Sequence, residues 1–305
     1  MSRLIDDLRA PDARLAKPIF VTKHNAWMSM AARLNEFLMD PQLPVIDIDN
    51  VAKYYYEAEQ EYWDLRHDFP NLAPPYPAFW CECKIAKRIH SKEKGDTDVA
   101  ALIPHGRTGM LIHGLKREDV NGEDIPVNVR WILWCELYID YGRRGVVADG
   151  PHGSVFVAVD GDGVIVDTPW MQSFADESDA HLMKTLMVWF NPALLAISFL
   201  HCKNVTVVEN HVPAPLVKKY RARHGRAPCS YKTLVIEPLK KILRTEGRSD
   251  HVGVQKAIHI CRGHFKDYRE GRGLFGRYHQ LVWQPSIVRG TKGEKAPPRE
   301  VDVKI

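Results

Sequence analysis

His259, Arg262 and His264 fall within six residues of one another near the C-terminus, in the segment AIHICRGHFKDYREGRGLFGRYHQLVWQPSIVRG. A guanidinium grips a phosphate through two parallel N–H donors, and an imidazole exchanges a proton near neutral pH. Together they can run acid–base chemistry on a phosphoester without a metal, with His264 or His259 as acid or base and Arg262 as the clamp. Arg269, Arg272 and Arg277 lie in the Gly-rich loop that follows and can close on the same anion, and Arg289 lies beyond it. Tyr268, Phe275, Tyr278 and Trp283 offer ring faces on which bases stack. The same residues also read as a nucleic-acid surface without catalysis, or as a network that satisfies loop carbonyls. A second basic run, Lys218, Lys219, Arg221 and Arg223, precedes the block.

Other combinations point to less. Cys81-x-Cys83 and His259-x-Cys261-x-x-His264 contain metal-ligating types, but neither has zinc-knuckle spacing, so no metal site is expected. Glu136, Asp140, Asp160 and Asp162 are a conceivable Mg²⁺ set, yet Asp160-Gly161-Asp162-Gly163 is what a tight turn requires. The chain lacks a P-loop, a dinucleotide fingerprint, a nucleophile elbow and HExxH, which takes most of the support from the common ATPase, dehydrogenase, hydrolase and metalloprotease classes and leaves no cofactor expected.

Charge is unevenly distributed. Residues 217–305 carry 21 Lys and Arg against 8 Asp and Glu, and residues 1–216 carry 21 against 30, although the whole chain is only +4. An imbalance of this kind suggests that the C-terminal part meets a polyanion, or else that the two parts neutralise each other by packing. The six cysteines are scattered through 305 residues, which fits reduced thiols in a cytoplasm better than a disulfide framework. The opening MSRLIDDLRAPDARLAK has no apolar core, so no secretory leader is expected. Leu182–Leu200 is apolar but broken by Lys184, Asn191 and Pro192, and reads as a buried helix rather than a membrane span.

The elements that must position these groups follow from periodicity. Helices are predicted over 25–39 and 51–65, the second with Asp49 or Asn50 as its cap and Val51, Tyr54, Tyr55, Ala58, Tyr62 and Leu65 on one face. Strands are predicted at 79–85, 108–113, 129–141, 204–209 and 230–236, and a hairpin at 155–167. Ala257–Phe265, if a single strand, places His259 and Cys261 on one face and Arg262 and His264 on the other. The expected class is α+β: a mainly antiparallel sheet, two N-terminal helices and one long buried helix at 180–200. The expected division is an acidic region, 1–210, and a basic β-rich region, 211–305, packed on the same core.

Three segments, DFPNLAPPYPAFWCE, SFLHCKNVTVVE and HICRGHFKDYREGRGLFGRYHQLVWQPSIVRG, resemble a family of uncharacterised proteins of bacteriophages and bacterial mobile elements. The resemblance covers about two thirds of the chain, implies a phage or mobile-element setting in a bacterial cytoplasm, and carries no activity or site residue with it. The leading expectation is a nucleic-acid-binding protein that contacts phosphates through Arg262, His264, Arg269, Arg272, Arg277 and Arg289, with Lys218, Lys219, Arg221 and Arg223 as a second patch. The alternatives are the metal-independent nuclease or phosphotransferase above, and an assembly module in which acidic and basic regions pair between copies of the chain.

Overall fold

In a computed structural model, residues 3–9, 15–16, 36–57, 66–84, 106–120, 125–140, 148–149, 154–166, 170–172, 180–236, 259–261, 263–271, 273, 279–284 and 287–289 are described. The chain forms two compact units: Met1–Leu200 with Val207–Val235, and His201–Thr206 with Ile236–Ile305.

The first unit is built on a sheet whose centre is β3 (Ala78–Lys84), β4 (Arg107–Lys116) and β5 (Trp131–Asp140). β4 pairs antiparallel with both neighbours over long registers, Trp80 lying opposite Leu111 and Leu111 opposite Glu136. Apolar residues make up most of these runs, as a pleated surface covered on both faces requires. β5 also pairs with β7 (Ser154–Val159), which continues to β8 (Trp170–Gln172), and with β6 (Ala148–Asp149), which leads to β1 (Leu15–Ala16). On the other flank β3 is followed by β2 (Val45–Asp47), β10 (Tyr231–Ile236) and β9 (Val205–Asn210), for ten strands in all among the described residues.

The sheet is mixed: its pairs through β3, β4, β5, β6, β7 and β8 are antiparallel, and its flanks add parallel ones. β2 runs parallel to β3 and to β10, and β1 parallel to β6. The reason lies between β2 and β3. The chain leaves β2 through α2 (Asp49–Glu57) and the proline-rich 70–77 stretch, a crossover long enough to bring β3 in parallel. The three residues Val-Ile-Asp of β2 are too short to announce a strand.

Alternation along the central strands gives the sheet two different faces. Phe79, Cys81, Met110, Ile112, Cys135 and Leu137 are fully buried. The helix expected at 180–200 is present as α3, Ala180–Leu200, packed against α2, β4 and β5, with Ala193–Phe199 entirely buried. Asn191, within it, donates to the Tyr55 hydroxyl of α2 at 2.9 Å. The other face carries Trp80, Leu111 and Tyr138, which form a core with Val45, Leu38, Leu43 and the first two residues of α1 (Leu4–Leu8). Trp80 lies so close to Gly109 that a Cβ there would stand 1.9 Å from its ring. Of the two N-terminal helices expected, 36–39 and Asp49–Glu57 are helical, and the rest of both ranges lies outside the described residues.

The Asp160 turn forms as its sequence requires: Asp160 Oδ1 accepts the N–H groups of Asp162 and Val164, both at 2.9 Å, and Gly163 has φ 86°. The second half of the expected hairpin contributes an isolated Val159–Ile165 bridge, since β7 takes β8 as its partner. The basic run after Pro213 is helical: α4, Ala214–His224, closed by Gly225 at φ 73° with its N–H on the Arg221 carbonyl.

In the second unit the predicted single strand 257–265 is two strands. β11 (His259–Cys261) pairs with β14 (Ile287–Arg289), and β12 (His264–Asp267) with β13 (Leu281–Gln284), each pair a separate two-stranded sheet. Phe265 packs edge-on to Trp283 with centroids 4.7 Å apart. Asn204 spans the Trp283 peptide, donating to its carbonyl at 2.7 Å and accepting its N–H at 2.9 Å. No helix among the described residues is long and apolar enough to cross a membrane.

Candidate functional site

The ends of β2 and β3 bring charge together. In their parallel register Asp47 lies beside Glu82, and the following two residues of each strand end bring Asp49 to Lys84. Lys84 donates its backbone N–H to Asp49 Oδ1 at 2.6 Å, and its ammonium sits 3.2 Å from Oδ2. β4 begins and β5 ends at the same edge, where Arg107 bonds Asp140 at 2.9 Å and Asp7 at 2.7 Å. Crevices at the carboxyl ends of parallel strands are where open sheets commonly present their sites.

α1 lies across this edge. Its Leu4 and Ile5 are buried, and their N–H groups donate to Glu82 Oε1 and Oε2 at 2.8 and 3.3 Å. Trp80 Nε1–H adds a third donor at 3.1 Å. Burial raises the Glu82 pKa, against the pull of those donors and of Arg3 and Arg107. Arg3 itself bonds Asp47 at 2.7 Å and stacks its guanidinium on Tyr231, 3.5 Å from the ring centroid.

These groups line one wall of a cleft of about 720 Å³, and α4 forms the facing wall with Lys219, Tyr220, Arg223 and His224. Helical spacing puts Lys219 and Arg223 one turn apart on that side, while Lys218 and Arg221 border a second depression on the other. Tyr220 stacks on His224 at 4.3 Å and donates to the Asp6 carbonyl at 3.3 Å, which fixes the helix over the cleft. The side chains of Lys218, Lys219, Arg221 and Arg223 make no ion pair or hydrogen bond among the described residues. In this they differ from Arg3, Lys84 and Arg107, whose charges are already answered.

The sequence-predicted residues fall into two sets. Lys218, Lys219, Arg221 and Arg223 are brought together on α4. In the second unit His264 is exposed on β12, opposite Gln284, and His259 is in backbone register with Arg289. Arg269 is engaged by Asp267, its Nη2 2.6 Å from Oδ2, and that contact lowers the Asp267 pKa. Arg262, Arg272 and Arg277 lie outside the described residues.

Among the described residues no three His, Cys, Asp or Glu gather into a group able to hold a metal. Cys81, Cys83, Cys135, Cys202 and Cys229 are thiols outside any disulfide; burial raises the pKa of all five, to about 12 for Cys202 and Cys229. The sequence reading missed the edge itself: Arg3, Asp47, the Glu82–Lys84 pair and Arg107 are far apart in the chain. Its one visible trace is the alternation of charge in Asp47-x-Asp49 and Glu82-x-Lys84, each two residues apart and so on one side of an extended chain. Compared with known protein families, curated proteins and solved structures, the chain matches none.

Proposed function

We propose that this protein binds nucleic acid through its phosphates, with α4 as the principal contact. One observation carries the reading: Lys218, Lys219, Arg221 and Arg223 stand on both flanks of one exposed helix without a partner among the described residues, where the other cations of this unit's charged edge are paired. Unpaired cations on a rigid element exchange their counterions for phosphates at little reorganisation cost. His264 and the arginines of the C-terminal block form a second contact region in this reading. The phage or mobile-element setting suggested by the sequence resemblance belongs to the same proposal.

The test is fluorescence anisotropy with labelled single- and double-stranded oligonucleotides at several salt concentrations. Four phosphate contacts correspond to a slope of log K on log salt of about −2.8 for single strands and about −3.6 for duplex. Between 50 and 200 mM salt that is a loss of about 50- to 150-fold. Substituting all four cations with alanine should flatten the slope toward that of the second contact region. Binding that ignores salt, or a fourfold variant that binds as the parent does, overturns the proposal.

A further inference from the structure

The cleft beside α4 has a composition that a continuous strand does not fit. Its two walls differ in charge. On the sheet side Asp47, Asp49 and Asp7 are each bonded to a cation already in place, so that wall presents carboxylate oxygens and is close to neutral. On the helix side Lys219 and Arg223 are uncompensated among the described residues, and His224 stands next to them. A cationic wall on one side and paired carboxylate oxygens on the other, in a cleft of about 720 Å³, select a ligand that is anionic at one end and rich in hydrogen-bond donors at the other. A strand passing through would carry its next phosphates onto the carboxylate oxygens of Asp47 and Asp49, which already hold Arg3 and Lys84 and offer a phosphate no donor. A strand that ends there does not.

We infer that this cleft holds a terminal phosphate and its nucleoside: the phosphate against Lys219, Arg223 and His224, and the hydroxyl and amino donors of the sugar and base against the carboxylate wall. A monoester phosphate carries about −1.5 to −2 charges, compared with −1 for each internal diester, so the unpaired pair on α4 favours an end over the middle of a strand. Tyr220, already stacked on His224, supplies an aromatic edge beside the phosphate position. Asp49 and Lys84 remain reachable, with side chains 37% and 69% exposed. This rests on the phosphate-binding reading of α4, and divides the four cations by role: Lys219 and Arg223 read the end, Lys218 and Arg221 track the backbone.

The experiment uses the full chain and one short oligonucleotide in three forms, 5′-phosphorylated, 3′-phosphorylated and unphosphorylated, together with a nucleoside monophosphate and inorganic phosphate. Binding is compared in the parent, K219A/R223A and K218A/R221A, with circular dichroism to verify the fold. A phosphorylated end should bind about tenfold tighter than the unphosphorylated strand. K219A/R223A should erase that preference, and K218A/R221A should weaken all strands while keeping it. Equal affinity for the three strands in the parent, or a preference that survives K219A/R223A, overturns the inference while leaving general binding through α4 intact. Inorganic phosphate that binds as well as the nucleoside monophosphate removes the nucleoside from it. Conversely, a nucleoside monophosphate that binds and is lost in K219A/R223A, without salt-dependent strand binding, sustains the cleft and refutes the broader reading.

Discussion

Replacing Glu82 with glutamine tests whether the charged edge is a supported structure or an accident of packing. The carboxylate accepts from Leu4, Ile5 and Trp80 through both oxygens, at 2.8, 3.3 and 3.1 Å. Glutamine offers one oxygen and one NH₂. Whichever way the amide is turned, at least one buried N–H faces another donor. One unsatisfied buried donor costs about 1–3 kcal/mol. For a unit of this size that is a Tm loss of about 2–12 °C, read by thermal denaturation at pH 5.

The pH dependence gives an independent check with a definite sign. Burial holds the Glu82 pKa above its ordinary value in the folded protein, so the folded state binds this proton more tightly than the unfolded one. Stability from this group is therefore greatest below the ordinary glutamate pKa and is lost as pH rises through the folded-state pKa. Glutamine does not titrate. Even protonated, the carboxyl keeps lone pairs on both oxygens, which the amide nitrogen lacks, so Glu82→Gln is worse than the parent at pH 5. Its deficit then shrinks toward pH 8. A variant as stable as the parent at pH 5, or a deficit that widens as pH rises, refutes the reasoning.

Two further substitutions probe the two units separately. Gly109→Ala puts a methyl group 1.9 Å from the fully buried Trp80 ring, which has nowhere to go against Leu4, Ile5 and Tyr138; a loss of about 3 kcal/mol in urea denaturation is expected, and an unchanged midpoint refutes the packing. Asn204→Ala strips both bonds from the Trp283 peptide and should cost the second unit about 2–4 kcal/mol, with a changed Trp283 fluorescence; an unaltered spectrum and midpoint count against the clamp.

What could be read from the sequence is what local chemistry decides. Val155–Val159 and the Asp160 turn, the long apolar helix and the central strand β5 each satisfy a short-range rule, and each is in place. The single strand through His264 failed because alternation over 257–265 says nothing about partners: β14 claims one half and β13 the other. α1 failed for the opposite reason. Five residues with two aspartates carry no measurable periodicity, and Leu4 and Ile5 are helical and buried because Trp80, Glu82 and Tyr138 form a place for them. β2 likewise exists through its parallel neighbours.

The charge imbalance between the two parts of the sequence admitted two explanations, and the first unit bears on both. Internal neutralisation requires the basic part to spend its charge on the acidic part. Yet the acidic groups at the edge are answered from within the same part of the chain, by Arg3, Lys84 and Arg107. Where α4 and the segment after it meet them, they do so mostly through neutral or backbone groups: the Tyr220 hydroxyl of α4 on the Asp6 carbonyl, then the Cys229 N–H on the Asp6 carboxylate, and Arg226 on that carbonyl rather than on a side chain. The helix is thus anchored to the acidic wall without losing the charge of Lys219 or Arg223. A fold that needed those cations for cohesion would have paired them. Anchoring by tyrosine and backbone while the ammonium and guanidinium groups stay available is the arrangement expected of a surface whose anion arrives from outside.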